Sequence, residues 1–181
     1  MKIAVLNDTH CGIRNSSEVF LDNAEKFYNE VFFPECEKQD IKQILHLGDY
    51  YDHRKFVNFK ALNHNRRVFL DQLRKRGMSM DIIPGNHDTY YKNTNELNSL
   101  KECLGHYMNE VNIVMEPKVM KYGSLNVGLV PWICNDNYEQ CMNFIRDCKA
   151  DWIGAHLELK GFEMMRGSVS YTHLRAHETL T

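Results

Sequence analysis

Three short apolar runs in the amino-terminal half of this chain each break off into a cluster of side chains that bind metal. Ile3-Ala4-Val5-Leu6 leads to Asp8-Thr9-His10, Ile44-Leu45-His46-Leu47 to Gly48-Asp49-Tyr50-Tyr51-Asp52, and Asp81-Ile82-Ile83-Pro84 to Gly85-Asn86-His87-Asp88. Apolar runs this short read as strands buried on both faces, so each polar cluster falls where a strand ends and a loop begins. Open α/β sheets bind ligands at such strand ends. Carboxylates, imidazoles and a carboxamide gathered there supply the mixed oxygen and nitrogen donors of a divalent metal site.

The rest of the chain predicts a layered α/β fold. At 181 residues and 43% hydrophobic, it is long enough for one domain with a real core. No apolar stretch approaches the roughly 20 residues needed to cross a bilayer, and Met1-Lys2-Ile3 runs into the first strand without a leader pattern, so the expectation is a cytoplasmic protein. Six cysteines with no C-x-x-C spacing signal neither a zinc ribbon nor a disulfide framework. A net charge of −2 gives no general pull toward polyanions. Ser16 or Ser17 is placed to cap a helix carrying Phe20, Phe27 and Val31 and ending near Gln39. A second helix is expected from Asn58 to Arg76, with Leu62, Val68, Phe69 and Leu73 inward, a basic outer face and Gly77 as terminator. A short helix from Asn95 to Leu104 precedes strands at Val111–Met115, Val119–Tyr122 and Leu125–Val130, the last two joined at Gly123-Ser124. After a helix from Asp136 to about Lys149, Asp151-Trp152-Ile153-Gly154-Ala155 again delivers a polar residue, His156.

Asp8-x-His10, Gly48-Asp49, Gly85-Asn86-His87-Asp88 and His156, in this order, resemble the calcineurin-like metallophosphoesterases. Within them the chain resembles the Mre11/SbcD nucleases in their bacteriophage form, to which Pro131-Trp132-Ile133 and the stretch from Gly154 through Leu159, Gly161 and Phe162 are also similar. The resemblance covers roughly Met1 to Gly167. It implies a four-layer αββα sandwich and two divalent ions, manganese being the family's usual metal. Asp8 and His10 would bind the first ion, Asp49 would bridge both, and Asn86 and His156 would bind the second. His87 would stabilise the transition state or protonate the leaving oxygen, and Asp52 would hold and charge it as a dyad partner. The resemblance further implies DNA as substrate, cut exonucleolytically and at single strands, an SMC-like ATPase of the Rad50/SbcC type as partner, and a homodimer through the helices after the first two motifs.

The chemistry also stands without the family. A phosphodiester repels hydroxide, and two divalent ions can bind its oxygens while supplying the nucleophile. Two such ions bring +4 against −2 from Asp8 and Asp49, so a surplus of about two charges remains for phosphate and hydroxide. Histidine donors argue against magnesium or calcium alone. His53 and Arg54 stand next to Asp52 as candidate phosphate contacts. Against this, Asp8 and His10 alone read as a turn and a surface histidine, and His156 alone as a core residue. Tyr90 and Tyr91 read as packing, Arg74-Lys75-Arg76 as a solvated helix end, and Cys11 as filler.

The carboxyl end departs from the pattern. The family's later Gly-His-x-His motif, which completes both metal spheres, is absent from the sequence. Residues 168–181, with His173 and His177 four apart, look like translated sequencing-adaptor read-through. The expectation is therefore a nuclease domain over 1–167 that is incomplete at its carboxyl end, with a non-native tail over 168–181 and an exposed sheet edge. Two alternatives follow: a phosphatase or cyclic-nucleotide phosphodiesterase on the same scaffold, or an inactive fragment acting only as an interaction module.

Overall fold

The computed structural model describes residues 1–158 in full and the backbone of two short strands beyond them, Glu163–Met165 and Ser168–Val169. The readings placed on Leu159, Gly161, Phe162, His173 and His177 lie outside the described residues, as does most of the stretch read as a tail. Strands β1 (Ala4–Leu6), β2 (Gln43–His46), β3 (Ser79–Ile82) and β4 (Val111–Ile113) form an all-parallel sheet in that order. Parallel neighbours need long crossovers, and here these carry helices. Helix α1 starts as Glu18–Lys26 and continues through a π-helical Phe27–Phe32 into Phe33–Lys38. Helix α2 has the same plan, Phe59–Asn65 passing through π-helical Arg66–Leu70 into Asp71–Arg76. The Asn58 side chain caps α2 by accepting from Lys60 N–H, and Gly77 ends it in the left-handed conformation that the sequence leads one to expect. Helix α3 (Ser99–Leu104) precedes β4.

A second sheet joins β5 (Lys118–Tyr122) and β6 (Leu125–Val130) as an antiparallel hairpin, with β7 (Trp152–Ala155) added parallel to β6 after helix α4 (Tyr138–Asp147). The strands at Glu163–Met165 and Ser168–Val169, β8 and β9, pair only with each other among the described residues. Alternation along the strands defines the layers. Ile44, Met80 and Ile82 face α1 and α2 and join Phe33, Phe69, Leu70 and Leu73, all essentially without solvent contact. Leu45 points the other way, to Val127, Leu129 and Tyr122 of the second sheet. Burial of each of these large side chains contributes roughly 1.5–3 kcal/mol. On the far face of the second sheet, a Cβ added to Gly128 would meet the Phe144 ring of α4 at 3.1 Å. The order is therefore helices, sheet, sheet, helix: the four-layer αββα sandwich.

Three local readings need correction. β1 is an edge strand and leaves Val5 53% exposed, so it is not buried on both faces. β3 begins at Ser79, and its Asp81 is no ordinary strand residue. It is buried between the sheets, where its carboxylate accepts from Gln43 Nε2 (2.8 Å), Asn112 Nδ2 (2.5 Å) and the Tyr122 hydroxyl (2.8 Å). On α1, Phe20, Phe27 and Val31 face outward, and Leu21, Tyr28, Phe32, Phe33 and Cys36 face the core. The two stripes keep the same seven- and four-residue spacings and differ by one position, so periodicity alone does not select between them; packing against the sheet buries the second. The π segments of α1 and α2 meet face to face, with the Tyr28 and Phe69 rings 4.8 Å apart. The basic face of α2 is largely neutralised, since Arg67, Arg74 and Arg76 each hold a glutamate (Glu25, Glu110, Glu37).

Candidate metal centre

All four motifs converge at the carboxyl ends of β1, β2, β3 and β7. The β1–β2 pairing continues past the strands, through Leu47 N–H to Leu6 O (2.8 Å), Asp8 N–H to Gly48 O (3.1 Å) and His10 N–H to Asp49 O (3.0 Å), so the first two loops run as one unit. Asp8, His10 and Asp49 all have left-handed backbones (φ 52°, 41° and 54°). For L-residues that conformation costs roughly 1–2 kcal/mol each, and it is tolerated here by polar side chains that suffer it least. The second and third loops touch through glycine. A Cβ on Gly85 would sit 2.2 Å from Asp49 Oδ1, and one on Gly48, at φ +96°, would lie 2.7 Å from Gly85 N.

Two buried residues lock these loops together, and neither stood out among the candidate ligands. The Asp88 carboxylate accepts from the backbone N–H groups of Gly85 (2.9 Å), Tyr50 (3.0 Å) and Tyr51 (3.1 Å). Burial pushes its pKa up to about 6 against the pull of those donors. His46 accepts from Gly48 N–H at Nδ1 (3.2 Å) and meets Thr9 Oγ1 at Nε2 (3.0 Å). Burial first, then the neighbouring His156, push its pKa down to about 3, so it is a neutral strut between the first two motifs. The signals were a lone histidine inside an apolar strand and the acid that closes the third cluster.

The expected ligands come together. His10 Nε2 lies 3.7 Å from Asp8 Oδ1 and 3.6 Å from Asp49 Oδ2. His156 Nε2 lies 3.5 Å from the same Asp49 oxygen and 2.9 Å from Asn86 Oδ1. Two groups of donors with ligand-like separations share Asp49, one with His10 and His87 and the other with Asp8 and His156. His156 gives its Nδ1 to the Leu47 carbonyl (2.9 Å), which directs Nε2 toward the two oxygens. A ring nitrogen, a carboxylate and an amide oxygen facing one another are satisfied by a cation, so the donor set fits a metal. Burial disfavours charge on His156, yet Asp49, the Leu47 carbonyl and Asp8 outweigh it and raise the pKa, the response of a site that attracts positive charge. The Asp49 carboxyl is held low despite burial by His156 and by the His87 N–H at 2.8 Å. The donors line an open cleft of about 530 Å³.

Asp52 meets His87 differently from the expectation. Its backbone carbonyl lies 2.6 Å from His87 Nδ1, while its carboxylate stands 3.4 Å from His10 Nδ1 and 3.5 Å from His53 Nε2. The side chain faces the imidazoles of His10 and His53 without a hydrogen bond to His10 Nδ1. His53 stacks on Phe56 (4.5 Å), whereas Arg54 lines a second groove that borders Asn86. Cys11 is no nucleophile: burial pushes its thiol up to about 12.

A family model described as calcineurin-like phosphoesterase matches residues 1–146. The chain belongs to that family of metal-dependent hydrolases. Among individual proteins, it is 28% identical over 175 residues to exonuclease subunit 1 of Enterobacteria phage T4, covering 94% of this chain and 50% of the relative. The chain thus spans about half the length of the curated relative it matches. Among solved structures it is similar to a protein of unknown function from Aquifex aeolicus (18% identity, 86% and 80% of the two chains, TM-score 0.49). It is also similar to the nuclease MPE of Pseudomonas putida (18% identity, 71% and 52%, TM-score 0.42). Among the described residues, no helix is long and apolar enough to cross a membrane.

Proposed function

We propose that this chain carries the catalytic centre of a two-metal DNA nuclease, an exonuclease and single-strand endonuclease subunit of the Mre11/SbcD kind. The observation that carries the reading is Asp49, one carboxylate shared by two donor groups at the mouth of an open cleft, with His87 beside it. By the family pattern Asp8, His10 and Asp49 would hold one ion and Asp49, Asn86 and His156 the other; the donors cluster here as His10, Asp49, His87 and as Asp8, Asp49, His156, and Asp49 is common to both divisions, with manganese suiting this nitrogen and oxygen set. When bound, such a pair polarises the phosphodiester and supplies its nucleophile. The chain's own work is positional. Asp52 O accepts from His87 Nδ1–H and fixes the ring, so that Nε2 gives a proton to the departing oxygen when the imidazole enters the step doubly protonated. The Asp52 carboxylate stands 3.4 Å from His10 Nδ1, which makes no hydrogen bond here, and acts on that ligand through its charge. The similarity to a phage exonuclease subunit favours DNA over small phosphate esters, a Rad50/SbcC-like ATPase as partner and the host cytoplasm as the place of action. The outward apolar residues Val19, Phe20, Phe27 and Val31 of α1 support a homodimer.

The test is Mn2+-dependent cleavage of linear duplex and single-stranded DNA by the protein as its genome encodes it. His87→Ala is expected to lower turnover roughly 10²–10⁴-fold, the usual worth of a proton donor. Hydrolysis of bis(p-nitrophenyl) phosphate without cleavage of DNA would keep the centre and reject the substrate.

A further inference from the structure

We propose that the groove beside the metal centre, walled by Arg54, Lys92, Trp132 and Tyr138, is a nucleotide subsite that takes the base and phosphate next along the strand from the bond being cut. The inference rests on the nuclease reading and gives it a strand preference.

The groove encloses about 540 Å³ and shares Asn86, Leu157 and Glu158 with the metal cleft, so a strand leaving one enters the other. That volume lies in the range of sites that hold one small ligand. The backbone of Trp132 is firmly held. Its N–H donates to Pro84 O (2.8 Å), and its carbonyl accepts from Asn95 Nδ2 (2.6 Å) and Asn137 Nδ2 (3.0 Å). Its ring stands 6.1 Å from that of His156, which puts an aromatic face beside a ligand of the centre. Stacking on such a face recognises a base whatever its identity.

The cations of the groove are unspent. Arg67, Arg74 and Arg76 are each paired with a glutamate, but Lys92 has no ion pair among the described residues, and the buried Arg54 Nη1 has no hydrogen-bond partner. A buried guanidinium N–H without an acceptor is costly, and a phosphate oxygen satisfies it well. A base reaches Trp132 only after leaving the helical stack, so single strands and frayed ends should be bound ahead of duplex interiors.

Trp132 and Trp152 are the two tryptophans of the chain, and Trp152 is 69% exposed on β7, so Trp152→Phe leaves Trp132 as the reporter. In that background, with His87→Ala to slow cleavage, a short oligothymidylate plus Mn2+ should quench the fluorescence. Lys92→Ala or Arg54→Ala should weaken the quench midpoint roughly tenfold and lower the salt slope by about one. In the His87-containing protein, Trp132→Leu should lower the ratio of oligonucleotide to bis(p-nitrophenyl) phosphate kcat/KM roughly tenfold, with Trp132→Phe restoring most of it. Oligothymidylate binding without quench, or an unchanged ratio in Trp132→Leu, overturns the subsite while DNA cleavage stands. Absence of all phosphodiester hydrolysis with the quench intact overturns the nuclease reading and leaves the groove as a strand-binding site.

Discussion

Asp49→Asn is expected to lower metal-dependent kcat/KM at least ~10³-fold, about 4 kcal/mol of lost transition-state stabilisation, while leaving the metal-free fold nearly as stable as before. The two effects separate because the two oxygens of Asp49 do different work. Oδ1 accepts the His87 N–H, and an amide oxygen of the same shape keeps that bond. Oδ2 lies 3.6 Å from His10 Nε2 and 3.5 Å from His156 Nε2, and an amide NH2 there offers protons where a cation belongs. Thermal melts with and without Mn2+ check this directly. At a hundred times its Kd a bound ion adds about 2.7 kcal/mol. For a chain of this size that is roughly 5–10 °C in Tm. The parent should show that rise and Asp49→Asn should lose it. An equal rise in both would remove Asp49 from the metal site.

Asp88→Ala is expected to be the most damaging change to the fold near the site, at about 3–5 kcal/mol, though Asp88 binds no metal in this account. Its removal strands the N–H groups of Gly85, Tyr50 and Tyr51 in a region without solvent, and each unsatisfied buried donor costs roughly 1–3 kcal/mol. Loss of the buried charge offsets part of that sum. The second and third loops then separate, so Mn2+ affinity should fall together with the urea midpoint. Unchanged stability with lost activity would instead make Asp88 a participant in the chemistry.

Which parts of this were legible in the sequence follows from how local each signal is. The three polar clusters at strand ends, the β5–β6 turn, the span of α2 and its Gly77 stop depend on neighbouring residues and are found where the sequence puts them. On α1 the period was legible but not the face, since Phe20, Phe27 and Val31 and the buried Leu21, Tyr28 and Phe32 have the same spacing and only the sheet beneath selects one of them. Asp81, His46 and Asp88 carry no local mark of their burial: their partners lie on other strands and loops, and only the assembled fold supplies them. Asp52 shows the same limit within the site. Its position beside His87 was legible, but whether carboxylate or carbonyl makes the contact is decided by the backbone path after Tyr51. Trp132 was read only as part of a family-like stretch, since its place beside His156 depends on the pairing of β6 with β7 within the second sheet.

The shared role of Asp49 is tested most directly by titrating the metal-free protein with Mn2+ under electron paramagnetic resonance. The account predicts two ions per chain, coupled through the common carboxylate so that the six-line signal of isolated Mn2+ gives way to an exchange-broadened one, with Asp49→Asn losing the coupling. Two magnetically independent ions indifferent to Asp49→Asn, or no binding at all, would contradict it.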